Sequence, residues 1–186
     1  MEYLTKGKRG EIYIDYINGK KVVIKKRLAK STALNRIENE AYWLKILNNC
    51  KIGPRLIAIK EDSIIMELIE GKLFTDWIKT ASKKDKIKVV KEIFNQCRVM
   101  DKLKVNKHEM HNPIKHIIIR KNKPVLIDFE RCKKTLKPKN VTQFAQFLMK
   151  LNIKPKEDIK NLLISYKRTY NEDSYLRLLR SFLLKV

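Results

Sequence analysis

The spacing of apolar positions changes character along this chain. From residue 1 to 27 they cluster in short β-rich runs: Tyr3-Leu4, then Ile12, Tyr13, Ile14, Tyr16 and Ile17, then Val22-Val23-Ile24. Asn18-Gly19 separates the last two runs and is a hairpin signal, because both residue types tolerate the positive φ of a tight turn. Over residues 31–49 the period becomes three and four. Leu34, Ile37, Ala41, Leu44 and Leu47 mark one helix face, with Ser31 or Thr32 as its cap. Gly53-Pro54 breaks the chain. Two short strands are expected next, over 56–59 and 63–68, turning at Glu61-Asp62. Gly71 ends this half, and a boundary is predicted at residues 67–72.

The second half is mainly helical. A short helix is expected over 74–81 and a longer one over 83–103, with Ile87, Val90, Ile93, Phe94, Cys97 and Met100 along one side. A polar, histidine-rich loop runs over 106–116. Residues 117–120 and 125–127 form a second hairpin around Lys121-Asn122-Lys123, with Pro124 opening its second strand. Residues 133–139 read as a basic linker, and three helices follow over roughly 140–151, 156–169 and 173–185.

Composition narrows the class. The 186 residues suit one domain or two small lobes. Lys+Arg 43 against Asp+Glu 20 gives a net charge of +23, a field that attracts nucleotides, nucleic acid or an anionic surface. A lysine-rich but merely solvated surface explains the same number. Cys50, Cys97 and Cys132 form no Cys-x-x-Cys pair, so neither a disulfide framework nor a zinc ribbon is expected. The first residues hold no secretory apolar core, and no run is long enough to span a membrane. A cytoplasmic protein with no membrane partner is the expectation.

Candidate chemistry centres on residues 123–131, where Val125-Leu126-Ile127 ends in Asp128-Phe129-Glu130. A carboxylate at the end of a buried strand stands where ligands gather. Upstream lie a glycine turn (Gly7 and Gly10), Val22-Val23-Ile24-Lys25, a helix carrying Glu40, and Ile65-Met66-Glu67-Leu68-Ile69-Glu70-Gly71. In this order the parts resemble a protein kinase: glycine loop, Val-Ala-Ile-Lys strand, helix carboxylate, hinge and Asp-Phe-Gly. Gly7 and Gly10 let a backbone approach phosphates without a Cβ. The resemblance implies that Lys25 holds the α and β phosphates and pairs with Glu40, with Glu38 as the neighbouring alternative. Asp128 offers hard oxygen to magnesium. The same resemblance implies that Glu67 and Leu68 present backbone to adenine beside Val23 and Met66. Each part has a plainer reading: turn glycines, a surface lysine among Lys20, Lys21, Lys26 and Arg27, a solvated glutamate, a core methionine.

The catalytic loop departs from the kinase pattern. Residues 107–117 read Lys-His-Glu-Met-His-Asn-Pro-Ile-Lys-His-Ile and contain no Asp. Counting back from the next strand puts His116 where Asn is usual, and Glu109 seven residues before it rather than five. The resemblance then implies that Glu109 orients the acceptor hydroxyl and that Lys115 neutralises the γ-phosphate. His116 joins Asp128 as a metal candidate, which brings Mn²⁺ in beside Mg²⁺. A zinc site built from His108, His111 and His116 is the sharper alternative, although it lacks the helical His-Glu-x-x-His geometry.

The pattern Glu109…Pro113-x-Lys115-His116 with Asp-Phe-Glu is similar to small archaeal-type serine/threonine kinases, related to the RIO kinases and the kinase of the KEOPS tRNA-modification complex. The likeness covers residues 1 to about 150. Residues 131–139 are too short for an activation segment, and no Ala-Pro-Glu follows.

The fold class expected is α+β: a kinase-like bilobal domain with a small antiparallel lobe plus one helix (residues 1–68) and a reduced helical lobe (69–186), ATP lying between them. The expected activity is ATP-dependent phosphorylation of a Ser or Thr hydroxyl, with Mg²⁺, on a protein substrate or on the chain itself. A nucleotide-binding pseudokinase or ATPase-type scaffold is the first rival. A basic RNA-binding module is the second, and partners in RNA, tRNA modification or the ribosome suit the charge. At 8% aromatic content the chain lacks the aromatic richness of many RNA-binding modules.

Overall fold

Asn18 and Gly19 both take positive φ (49° and 72°), closing the first hairpin as a two-residue turn. The computed structural model describes residues 2–6, 10–27, 36–153, 155 and 158–184. Gly7, Ser31, Thr32 and Leu34 lie outside the described residues. The architecture is mixed α+β. It divides into two units, one comprising Met1–Glu70 and Val125–Cys132, the other Gly71–Pro124 and Lys133–Val186.

The first unit is built on an antiparallel sheet of β1 (Glu2–Lys6), β2 (Gly10–Ile17), β3 (Lys20–Arg27), β4 (Leu56–Ile59) and β5 (Ser63–Glu67), in the order β1-β2-β3-β5-β4. Its register pairs Lys25 with Ile12 and Ile64, and Val23 with Ile14 and Met66. Side chains alternate along a strand, so these six residues share one face. Helix α1 (Arg36–Leu47) buries Ala41, Leu44 and Leu47 as the period predicts, and also Trp43 and Glu40. Gly53 has φ +83°, and a Cβ there would stand 2.8 Å from the Phe129 ring and 2.9 Å from Leu44. The turn after α1 therefore needs glycine to admit Phe129, which is fully buried.

The second unit contains β6 (Lys72–Leu73), α2 (Phe74–Thr80), α3 (Lys83–Lys102), β7 (Val105–Asn106) and a 3₁₀ turn over His108–His111. It continues with β8 (Ile117–Arg120), the start of β9 (Lys123–Leu126), β10 (Lys133–Lys134), α4 (Asn140–Lys150), α5 (Ile159–Thr169) and α6 (Glu172–Leu183). Its core is aromatic. Phe94 stands edge-on to Phe144 at 4.9 Å and 5.6 Å from Phe182, while Phe74 is 6.1 Å from Phe144. Ser82, Asp158 and Asn171 cap α3, α5 and α6 by accepting from backbone N–H groups.

Three local expectations change. The second hairpin turns on Lys121 and Asn122 alone, both at positive φ (48° and 56°), so β9 opens at Lys123 rather than after it. Pro124 sits inside that strand without penalty because β9 is at the edge of the sheet β6-β8-β9. The expected linker 133–139 begins as a strand, Lys133 and Lys134 pairing with Asn106 and Val105. The polar loop 106–116 contains one turn of 3₁₀ helix. No described helix is long and apolar enough to cross a membrane.

Candidate functional site

The site builds from strand β3. Its alternation places Lys25 two residues beyond Val23 on the same face, and there the ammonium meets α1. Lys25 Nζ donates to Glu40 Oε2 at 2.7 Å and to Asp128 Oδ1 at 3.4 Å. Glu40 is 1% exposed, and its other oxygen accepts from the Phe129 backbone N–H at 3.1 Å. Both Glu40 oxygens are thus engaged, as a buried carboxylate requires. One glutamate therefore ties the lysine strand to the Asp128-Phe129 turn.

Glu40, not Glu38, makes this contact. Glu38 is two positions away on α1, points elsewhere and pairs with Arg27. That second pair is a third to a half exposed, and ion pairs near solvent contribute at most about 1 kcal/mol. A Glu38→Gln variant should move a urea midpoint by the equivalent of less than about 1 kcal/mol.

Burial alone would push the Lys25 ammonium below its ordinary pKa. The carboxylates of Glu40 and Asp128 outweigh it and hold the pKa above the ordinary lysine value. A raised lysine contributes its full stability below the unfolded value, about 10.4, and loses it only as pH rises through the native one. Lys25 therefore keeps its charge across the neutral range. Two carboxylates around one ammonium leave a local excess of negative charge.

Asp128 takes φ +65°, an uncommon conformation that Asp tolerates better than most residues. The segment after it is clasped by α1. Asn39 Nδ2 donates to the carbonyls of Glu130 (2.8 Å) and Cys132 (3.0 Å), and Trp43 Nε1 donates to that of Cys132 (2.9 Å). Arg36 stands 3.6 Å from Glu130. Asn39, Trp43 and Arg36 did not emerge from the sequence. The only hint was a polar residue and an indole flanking the apolar stripe.

A cavity of about 280 Å³ opens beside these groups, lined in part by Gly10, Ile12, Lys25, Arg36, Glu40 and Asp128. It lies just under the range of about 300–1,000 Å³ typical of small-molecule pockets. A larger open groove of about 1050 Å³, with Lys20, Val22, Arg55 and Glu67 in its wall, does not include Lys25. The smaller cavity is the stronger candidate because opposed charges converge on it.

Of the other predicted residues, Gly10 opens β2, where a Cβ would come within 2.8 Å of the Lys26 carbonyl. Met66 and Glu67 end β5, and Glu67 N–H donates to the Arg55 carbonyl at 2.9 Å. Leu68 follows, half-buried.

In the second unit, Lys115 is exposed. His116 closes a turn with its N–H on the Pro113 carbonyl at 3.0 Å. Glu109 lies in the 3₁₀ turn, buried, 3.3 Å from the ammonium of Lys107, which is 0% exposed. This buried lysine was not singled out from sequence. Asn140 and Asp101 hold the segment around it. Asn140 accepts from Lys107 N–H (2.8 Å) and donates to the Val105 carbonyl (2.6 Å), while Asp101 accepts from Asn140 Nδ2 (2.7 Å).

Among the described residues, no three His, Cys, Asp or Glu side chains gather into a metal-holding group. Asp128 lines the cavity beside Glu11, Glu40 and Glu130, and its carboxylate could be one ligand of a divalent ion that takes its others from phosphate and water. No protein-family model matches the sequence, and no curated protein matches it significantly.

Proposed function

We propose that this chain is a reduced kinase-like phosphotransferase that moves the γ-phosphate of ATP to a Ser or Thr hydroxyl. One observation carries the reading: Lys25, on a sheet strand, is held between Glu40 of α1 and Asp128 at a positive-φ turn. Phosphoryl transfer needs positioned charge more than covalent chemistry. Lys25 fits the part of a fixed cation on the non-transferred phosphates, with Glu40 restricting its rotamers. Asp128 would hold Mg²⁺, which supplies neutralisation of phosphate charge when bound. Val23 and Met66, opposite one another on the Lys25 face, offer an apolar surface to a base. In the reaction the acceptor oxygen bonds to the γ-phosphorus, the bond to the β-phosphate oxygen breaks, and the hydroxyl proton leaves toward a base. Glu109 is the residue we assign to that proton. Lys115 is assigned to the transferred phosphate, and His116 to metal binding, Mn²⁺ included.

Incubation with γ-labelled ATP and a mixed Ser/Thr protein substrate tests this. Lys25→Met is expected to lower transfer by about 10²–10³, the scale seen when one charge-stabilising donor is removed. Asp128→Asn should lower it as well, and provides a second variant if Lys25→Met fails to fold. Transfer unchanged in both folded variants would end the proposal.

A second reading has its own support. The Glu109 carboxylate is engaged with buried Lys107, a structural task that competes with proton acceptance. The chain would then bind nucleotide as a pseudokinase scaffold. Glu109→Gln separates the two: a catalytic Glu109 predicts lost transfer with ATP binding retained, whereas a scaffold binds ATP and transfers nothing even as wild type.

A further inference from the structure

The basic excess is not shared evenly. The unit formed by Gly71–Pro124 and Lys133–Val186 holds 28 Lys and Arg against nine Asp and Glu, a net of +19. The other unit holds 15 against 11, a net of +4. Two of the nine acids, Asp101 and Glu109, are buried, so the surface is more positive than the count suggests. A field of that size attracts long polyanions rather than a single acidic side chain.

One stretch of this unit presents lysines from a pinned backbone. Over residues 133–139, Lys133, Lys134, Lys137 and Lys139 are all exposed, and Leu136 between them is 82% exposed. Strand β10 pairs with β7, and Thr135 N–H donates to the Lys104 carbonyl at 2.8 Å. Lys139 N–H donates to Asn106 Oδ1 at 2.8 Å, and Tyr170 Oη donates to the Pro138 carbonyl at 2.8 Å. Lys104 lies over the ring of Tyr170 at 5.4 Å, which adds a fifth ammonium beside the strap. Among the described residues, no carboxylate lies within ion-pair distance of Lys133, Lys134, Lys137 or Lys139. A charge run held by ladder, side-chain and ring contacts does not pay the ordering entropy of a loose tail on binding.

We infer that the strap 133–139, with Lys104, is a docking surface for the phosphodiester backbone of a nucleic acid. Lysines are point charges that neutralise phosphates but lack the fork for bidentate readout of base edges. The binding is therefore indifferent to sequence and strongly salt-dependent. It does not rest on the phosphotransferase reading.

The test uses the whole chain and fluorescence anisotropy. The probes are a labelled oligoribonucleotide, a DNA duplex of the same length and a polyglutamate of matched charge, each titrated between about 50 and 200 mM salt. The expected result is binding of both nucleic acids with little sequence preference. In the variant with Lys133, Lys134, Lys137 and Lys139 all changed to Gln, the slope of log K against log salt for the single strand should fall by roughly 0.7 for each phosphate contact removed, about 3 in all. The comparison variant changes exposed Lys83, Lys84, Lys88 and Lys91 of α3 to Gln and should keep most of the slope. Equal losses in the two variants, or no loss in the strap variant, overturn the assignment. Polyglutamate binding as tightly as RNA overturns it in favour of an acidic protein partner. If the fourfold strap variant fails to fold, the pairs Lys133/Lys134 and Lys137/Lys139 are changed separately, each with half the expected effect.

Discussion

Glu40→Ala should destabilise the chain by about 3–5 kcal/mol, a large part of the roughly 5–15 kcal/mol that holds a domain folded. The carboxylate is 1% exposed and serves two donors at once, the Lys25 ammonium and the Phe129 N–H. Removing it takes the Glu40 acceptor from the Phe129 N–H and leaves Lys25 with Asp128, 3.4 Å away, as its ion-pair partner. Because Lys25 is itself 20% exposed and gains water when Glu40 is lost, the low end of the range is expected. Glu40→Gln keeps an oxygen for one of the two donors and should cost less. Urea midpoints of the two variants measure the difference. An Ala variant as stable as wild type would show that the Lys25–Glu40 pair is not formed in solution.

Asp101→Ala is the counterpart in the second unit, also expected at about 3–5 kcal/mol. Helix α4 has no capping side chain of its own. Asp101, at the end of α3, supplies the cap by accepting from the backbone N–H groups of Asn140 (3.0 Å) and Val141 (3.3 Å). It also accepts from Asn140 Nδ2 (2.7 Å) and Tyr166 Oη (2.8 Å). One substitution therefore takes the acceptor from two backbone N–H groups, from Tyr166 Oη and from one hydrogen of Asn140 Nδ2, which keeps its bond to the Val105 carbonyl, and Asn140 is held less firmly beside Lys107.

Asp101 also carries a pH signature. Burial pushes its carboxyl above the usual carboxylate range, only partly opposed by the hydrogen bonds from Tyr166, Asn140 and Val141. The native state thus holds this proton more tightly than the unfolded chain. The stability tied to it is fully present below the unfolded value, about 3.9, and shrinks as pH rises through the raised native value. Thermal melts of wild type and Asp101→Ala should therefore differ most in acid and converge somewhat toward neutrality. A gap that widens with rising pH would contradict this sign.

Much of the secondary structure is legible in the sequence. Binary pattern and punctuation act locally, so Asn18-Gly19, the stripe of α1 and the apolar side of α3 read out directly. The misread turn at Lys121-Asn122 has a local cause too. Lysine is not a residue one expects at positive φ, so the turn was read one residue too long.

The site was legible as an ordered set of residue types and no further. Composition cannot say which of 43 basic residues is buried, and Lys107 at 0% exposure looked like any other lysine. Pattern alone left Glu38 and Glu40 as alternatives, because the rotation of α1 about its axis is set by what it packs against.

What the sequence determined by itself is therefore the longer strands and helices, the basic excess and the residue types available for charge chemistry. These depend on near neighbours in the chain or on composition. Only the tertiary structure decided that Glu40 reaches Lys25 and Phe129, that Asp101 caps a helix 39 residues further on, and that the lysines of 133–139 stand on a pinned strap. Those contacts join residues far apart in sequence, and packing rather than local preference chooses which side chains meet.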